Sequence, residues 1–210
     1  MSGLLFVVSA PSGAGKTSLL GALLPSDAQL SLSISHTTRS MRDGEEDGVH
    51  YHFVDREAFS ALTAKGGFLE QAQVFDNFYG TAEMAVKSQL ADGLDVVLEI
   101  DWQGARQVRK HFPDAITIFI APPSIAALEQ RLGGRGQDDA SVIERRMRDA
   151  VQDLSYYIEY DYLVMNDDFE QALSELKTII IAERLRTQPS AIKHVQALTD
   201  MLSLGGLKDD

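Results

Sequence analysis

The chain has 210 residues, no cysteine and a formal net charge of −12. Its length suits one compact domain with inserted subdomains, or at most two small domains. The lack of cysteine rules out a disulfide framework and cysteine-based metal ligation, and it fits a reducing cytoplasm, where we expect the protein to act. The acidic balance argues against general binding to nucleic acid or anionic membranes. No apolar run approaches the roughly 18 residues of a membrane span.

The first half of the chain opens with a strand, a loop and a helix and then becomes irregular. Apolar residues predict a buried strand over 4–9, and a helix over 16–24 ends at Pro25. Further strands are predicted over 30–35, 50–54 and 68–75, and further helices over 56–65, capped by Asp55, and 83–92. The polar stretch 39–49 fits no regular element. We interpret residues from about 36 to 82 as an insertion over the edge of a sheet.

The second half alternates short apolar strands with longer helices. Strands are predicted over 95–100, 115–120 and 162–166, and helices over 103–111, 125–132, 141–159 and 169–186. Ser124 can cap the second of these helices, and the glycine-rich residues 133–136 predict a mobile break after it. Strands that alternate with helices are typical of a parallel α/β sheet, which is the predicted fold class.

The loop after the first strand matches the phosphate-binding pattern G-x-x-x-x-G-K-[ST] at every position but the first. Its residues are Ala10, Pro11, Ser12, Gly13, Ala14, Gly15, Lys16 and Thr17. The two glycines let backbone N–H groups turn towards phosphate oxygens, and the following helix adds the positive end of its dipole. The lysine can reach the β and γ phosphates, and the threonine hydroxyl can ligate Mg²⁺. The motif predicts binding of a nucleoside triphosphate, but GTPases, ATPases and kinases all share it.

Two arginines in a hydroxyl-rich stretch are candidates for binding a second phosphate. Arg39 and Arg42 follow Ser35, Thr37 and Thr38. Guanidinium groups bind phosphate through two parallel hydrogen bonds, so this pattern favours a phosphate dianion. A solvated surface stretch is the alternative.

Glu70 is a candidate for reading a base, with Tyr51, Tyr79 and Thr81 in the same part of the chain. A carboxylate can accept from the paired N–H and amino groups that guanine offers on one edge. Hydroxyl groups can donate to a base carbonyl or a phosphate. An ordinary edge glutamate beside aromatic residues is the alternative.

Five arginines lie within or beside the glycine-rich residues 133–136. They are Arg131, Arg135, Arg145, Arg146 and Arg148. Closure of a mobile segment could bring them to the oxygens of a phosphoryl group in transit. A charged, exposed helix face is the alternative. Such a concentration of positive charge in an acidic chain favours a polyanionic ligand.

The apolar strand over 95–100 is followed by acids that suit a metal ion. Glu99 and Asp101 lie two residues apart, so their side chains are expected on one side of the strand. An acid at this place can hold Mg²⁺ directly or through water. A simple helix-capping role for Asp101 is the alternative.

Taken together, these segments resemble bacterial guanylate kinases over residues 4–186. The matching strings are SAPSGAGKT at 9–17, SHTTR at 35–39, Glu70 with YGT at 79–81, EIDWQG at 99–104, RLGGRG at 131–136 and VMNDD at 164–168. The resemblance implies transfer of the γ-phosphate of ATP to GMP, and to dGMP, with Mg²⁺. It also implies a three-layer P-loop fold. Its core would comprise 1–33, 85–124 and 151–210, with a small α+β GMP-binding insertion at 34–84 and a helical lid at 125–150.

The resemblance further implies roles for single residues. The catalytic residues would be Lys16, Arg39, Arg135 and Arg146. ATP would be bound by the loop 10–17 with Arg131, Arg135 and Asn166. GMP would be bound by Ser35, Arg39, Arg42, Tyr51, Glu70, Tyr79, Thr81, Glu99 and Asp101. Thr17 and Asp101 would hold the metal, the acid either directly or through water. Many relatives have Asp at the position of Glu99, so this side chain is one methylene longer than theirs.

Two other functions stay open at this point. A related P-loop kinase could use another acceptor, such as a ribose bisphosphate, but the guanine-reading set argues against it. A non-catalytic guanylate-kinase-like binding module would have lost parts of the loop and lid that this sequence retains. ATP and GMP are the expected partners. The oligomeric state is left open between a monomer and a homodimer or larger homo-oligomer.

Overall fold

The structure is a computed structural model that describes residues 3–74, 76–133, 140–186 and 194–201. The side chains of residues 140–146 are not part of this description. Residues 134–136 of the predicted break at 133–136, which include Arg135, and the side chains of Arg145 and Arg146 therefore lie outside the described residues.

Strands and helices follow one another along the chain much as the sequence predicts. The strands are β1 (Leu5–Ser9), β2 (Leu30–Leu32), β3 (His36–Thr37), β4 (His52–Phe53), β5 (Phe68–Val74), β6 (Asn77–Ala82), β7 (Asp95–Glu99), β8 (Ile116–Ala121) and β9 (Tyr162–Met165). The helices are α1 (Lys16–Leu23), α2 (Arg56–Ala64), α3 (Glu83–Ala91), α4 (Trp102–His111), α5 (Ile125–Gly133), α6 (Ala140–Leu154) and α7 (Phe169–Arg184). Residues 194–201 are also helical.

A parallel five-stranded sheet forms the core, with the strand order β2-β7-β1-β8-β9. Alternate residues of β1 divide between its two faces. Phe6 and Val8 pack in the cluster that includes α1 and α7, whereas Leu5 and Val7 pack in the cluster that includes α3 and α4. The helices thus cover both faces, and the predicted α/β class with a parallel core sheet is confirmed.

A smaller four-stranded sheet lies within residues 36–82, in the order β4-β3-β6-β5. Strands β3 and β6 were not predicted, because β3 has only two residues and β6 contains Asn77 and Gly80, which are typical of turns. The predicted strand over 30–35 was too long. It ends at Leu32, and the chain then leaves the core sheet and pairs with β6 at His36.

Side chains cap the N-termini of four of the described helices, α2, α4, α5 and α7. The Asp55 carboxylate accepts a hydrogen bond from the Ala58 N–H, and the Ser124 hydroxyl accepts one from the Ala127 N–H at 3.1 Å, as predicted for both caps. The predicted helix over 141–159 differs, because the α-helix ends at Leu154 and a 3₁₀ turn continues over Ser155–Glu159. None of the helices in the described part of the chain is both long and apolar enough to span a membrane.

Candidate active site

The phosphate-binding loop leaves the carboxyl end of β1 and enters α1. Gly13 and Gly15 adopt positive φ values of 89° and 94°, which side chains other than glycine rarely tolerate. A Cβ on Gly15 would also fall within 3.0 Å of the Asn166 side-chain nitrogen, closer than real Cβ atoms approach. The loop therefore requires glycine at this position for both its backbone conformation and its packing.

Two side chains, those of Asn166 and Arg131, donate hydrogen bonds to the carbonyl oxygen of Ala14 in the loop. The Asn166 amide donates to this oxygen at 2.7 Å, and Arg131 donates to it at 3.4 Å. Arg131 also donates to the Asn166 carbonyl oxygen at 3.0 Å. In a trans peptide the C=O and the following N–H point in opposite directions, so the Gly15 N–H points away from Asn166 and Arg131. Asn166 and Arg131 thereby shape the site where backbone N–H groups would meet a phosphate.

The first turn of α1 meets the carboxyl end of β7. The Thr17 hydroxyl donates to Glu99 Oε1 at 2.6 Å. The Lys16 ammonium lies 3.9 Å from the same oxygen and donates to the Ile100 carbonyl at 3.2 Å. Asp101 instead caps α4: one carboxylate oxygen accepts from the Gly104 N–H at 2.9 Å and the other from the Gln103 amide at 3.0 Å. The acid beside Thr17 is therefore Glu99, whereas the sequence-based metal prediction named Asp101.

A buried polar chain joins three parts of the inserted region. The Thr81 hydroxyl donates to Glu70 at 2.5 Å, and Ser35 lies 3.2 Å from the Thr81 hydroxyl oxygen. The single hydroxyl hydrogen of Thr81 is used in the hydrogen bond to Glu70, so Ser35 is the donor in the second contact. Burial raises the pKa of Glu70 to about 7, with a smaller contribution from the charge of Asp101 and an opposing one from Lys16. Lys16, in the phosphate-binding loop, therefore lies close enough for its charge to lower the pKa of Glu70.

One of the two predicted phosphate-binding arginines, Arg39, is already paired. Arg39 donates to both oxygens of Glu45, at 2.7 and 2.9 Å, and the Arg42 backbone N–H donates to Glu45 at 2.8 Å. The Arg42 side chain itself is exposed. The Arg39 guanidinium lies 5.5 Å from the centre of the Tyr51 ring, and Tyr79 packs against that ring. Burial, with Glu99 nearby, raises the pKa of Tyr51 to about 12, so its phenol remains a hydrogen-bond donor at neutral pH.

Two acids near the site were missed by the sequence reasoning. Glu45 lies in the irregular stretch 39–49, where nothing in the pattern distinguishes it from the other acids. Asp153, in α6, accepts from the Trp102 indole N–H at 3.0 Å. Burial and the charge of Asp101 raise the pKa of Asp153 to about 6. No periodicity signal relates residue 153 to residue 102, so only the folded chain brings them together.

The predicted site residues are thus brought together in two neighbouring groups. The loop group contains Gly13, Gly15, Lys16, Thr17, Glu99, Arg131 and Asn166, and the insertion group contains Ser35, Arg39, Tyr51, Glu70, Tyr79 and Thr81. Within the described residues, no cluster of three or more His, Cys, Asp or Glu side chains could hold a metal by itself.

This fold and site define a P-loop phosphotransferase, with a parallel core that holds the phosphate loop and an inserted sheet that holds a second polar site. A family model described as "Guanylate kinase" matches residues 2–183. The chain belongs to the guanylate kinase family, as its resemblance predicts.

Relatives at the level of sequence and of structure agree with this assignment. A guanylate kinase of Hahella chejuensis is 58% identical over 96% of this chain and 97% of its own. One from Alkalilimnicola ehrlichii is 56% identical over 96% of this chain and 100% of its own. The crystal structure of guanylate kinase from Anaplasma phagocytophilum has a TM-score of 0.73 at 33% identity, and the match covers 89% of this chain and 88% of that one.

Proposed function

We propose that the protein transfers the γ-phosphoryl group of ATP to GMP, giving ADP and GDP, and that dGMP is a further acceptor. The observation that supports this most directly is the buried Glu70–Thr81 pair in the field of the loop lysine, Lys16. A carboxylate in that position can accept the paired N–H groups of guanine. The high identity to guanylate kinases over nearly the whole chain supports the same acceptor. Action in the cytoplasm is part of the proposal.

The proposed transfer is direct and in line, without a covalent enzyme intermediate. The acceptor is a phosphate that is already ionised near neutral pH, so no general base is needed. The work of the protein is to position two polyanions and to neutralise their charge. Lys16 and the inward N–H groups of the loop would bind the ATP phosphates, and closure of the lid would exclude water.

The GMP phosphate would bind beside Arg39, Tyr51 and Tyr79. Glu45 accepts from both terminal nitrogens of Arg39 in the described structure. A bound phosphate therefore either shares Arg39 with Glu45 or takes the place of Glu45 on Arg39. In both cases Glu45 orients the guanidinium before the substrate arrives, which reduces the entropy lost on binding.

The residues present fit a magnesium ion. Thr17 and Glu99 supply a hydroxyl and a carboxylate oxygen that lie 2.6 Å apart. Mg²⁺ prefers such hard oxygen ligands and takes only one or two from the protein, the remainder being phosphate oxygens and water. When bound, the ion would neutralise charge on the β and γ phosphates. We therefore propose Thr17 and Glu99 as its protein ligands and assign Asp101 to the cap of α4, close to Glu70.

A panel of phosphate acceptors tests the proposed reaction. GMP, dGMP, AMP, UMP and ribose bisphosphate would each be offered with ATP and Mg²⁺, and ADP release would be measured. We expect turnover with GMP and dGMP only. If ribose bisphosphate were the only acceptor, the protein would instead be a related P-loop kinase that acts on that sugar. Failure to bind ATP in calorimetry would support a non-catalytic module.

Two substitutions test the proposed roles of the charged residues. Replacing Lys16 or Arg146 by Ala should lower kcat far more than it weakens GMP binding, because both residues are proposed to act on the transferring phosphoryl group. GMP affinity would be measured by calorimetry without ATP. Equal losses in turnover and in GMP affinity would contradict these roles.

A further inference from the structure

Strand β5, which presents Glu70, is shaped locally to turn this side chain inwards. The pairing with β6 shifts register between Phe68 and Glu70, which marks a β-bulge. Leu69 and Glu70 are consecutive and are both only 3% exposed. Regular alternation would bury only one of them, so the bulge is what redirects the carboxylate.

Helix α4 lies directly against that carboxylate. Gly104, in the first turn of α4, is buried, and a Cβ built on it would fall within 3.0 Å of Glu70 Oε2 and at 3.0 Å from Glu70 Cδ. Glycine inside a helix costs about 1 kcal/mol relative to alanine, so its presence needs a packing reason. The room that it leaves for Glu70 supplies that reason.

One turn further along the same helix, Gln107 binds the backbone of the strand. Its amide oxygen accepts from the Gln71 N–H at 3.1 Å, and its amide nitrogen donates to the Gln71 carbonyl at 2.7 Å. Strand β5 is an edge strand, so this side chain takes the place of a missing strand partner. The Gln71 N–H belongs to the peptide unit that starts at Glu70, and Gln107 therefore fixes the orientation of that peptide.

We propose that Gly104 and Gln107 are positioning residues for base recognition. Gly104 leaves the space that the Glu70 carboxylate occupies, and Gln107 fixes the peptide that follows it. The inference rests on the proposed function, in which Glu70 binds the guanine edge. It adds that guanine specificity depends on one face of α4, a helix of the core, as well as on the inserted sheet.

The test compares Gly104→Ala with Gly21→Ala. Gly21 also lies in a helix, α1, but no atom lies within 4 Å of a Cβ placed there. We expect Gly104→Ala to lower kcat/KM for GMP by about 10- to 100-fold, as when a charged acceptor loses a hydrogen bond. KM for ATP should not change. Gly21→Ala should leave all of these constants unchanged.

Inosine monophosphate as an alternative acceptor distinguishes a specific loss of guanine recognition from a general loss of activity. It lacks the 2-amino group of guanine, so it gains less from a well-placed carboxylate. We expect Gly104→Ala to lose most of the preference for GMP over this analogue. Folding of each variant would be checked by thermal unfolding, and GMP affinity by calorimetry without ATP. An unchanged preference in a folded Gly104→Ala variant would overturn the inference.

Two further variants keep the test decisive if Gly104→Ala folds poorly. In the background of Glu70→Asp, whose carboxylate is shorter, Gly104→Ala should have little additional effect. Gln107→Ala, which introduces no clash, should weaken GMP binding about 3- to 10-fold, whereas Lys110→Ala on the solvent side of α4 should not. Normal GMP binding by Gln107→Ala would contradict its role. If the wild-type enzyme fails to phosphorylate GMP, the proposed function itself fails, which is a separate result.

Discussion

Replacement of Glu70 by Gln should stabilise the protein at alkaline pH while it impairs the proposed reaction. The Glu70 carboxyl is 3% exposed, and its burial raises its pKa from 4.5 to about 7. The folded state therefore binds this proton more tightly than the unfolded state does. This contribution to stability is fully present below pH 4.5 and is lost as the pH rises through 7. The amide introduced by Glu70→Gln would keep the shape and the Thr81 contact without any charge to bury.

The magnitude follows from the two pKa values. The stability difference between Glu70→Gln and wild type should grow by about 2.5 kcal/mol from about pH 5 to about pH 8. Urea unfolding of both proteins across this range measures it, and acid effects from the other groups cancel in the difference. Glu129→Gln, on the exposed side of α5, is the control and should show no such trend. A difference independent of pH would refute the reasoning, because it would mean that burial does not raise the pKa of Glu70.

Three further outcomes follow from the geometry. Gly15→Ala should raise KM for ATP at least about tenfold and leave GMP affinity in calorimetry unchanged, because its Cβ meets Asn166 and its φ is 94°. Arg184→Ala should lower the free energy of unfolding in urea by about 3–5 kcal/mol, because it removes the ion-pair partner of the buried Asp95 carboxylate and leaves it only the hydrogen bond from the Leu4 N–H. Normal stability would exclude that ion pair as a major contribution. Glu99→Gln should raise the Mg²⁺ concentration needed for half-maximal turnover; an unchanged requirement would remove Glu99 from the metal site.

Local sequence patterns predicted the backbone well where the signal is itself local. The phosphate loop depends on glycines at fixed spacing within eight residues, and the caps by Asp55 and Ser124 involve residues three positions away. The buried core strands were recognisable as short apolar runs between helices. Patterns of this kind are less informative for β3 and β6, since pairing with distant strands stabilises them more than their own composition does.

The contacts that define the site join residues far apart in the chain. Asn166 and Ala14 are 152 positions apart, and Thr81 and Ser35 are 46 apart. The sequence named Ala14 through the phosphate-loop motif and Ser35 and Thr81 through their hydroxyl-bearing segments, whereas Asn166 was named only through the family resemblance, as an ATP-binding residue. The contact of Asn166 with the loop depends on the place of β9 in the core sheet. Sequence periodicity indicates which way a side chain faces, but not which residue it contacts.

The sequence by itself determined the α/β class, the nucleotide-binding loop and the family, because each depends on residue types at fixed short spacing. The tertiary structure decided which acid lies beside Thr17, how Glu45 holds Arg39, and how closely the Glu70 carboxylate packs against Gly104. These three contacts depend on distances across the sheet, within an irregular loop, and between α4 and the inserted region. Only the packed chain fixes such distances, because in a close-packed interior the position of each side chain depends on all of its neighbours.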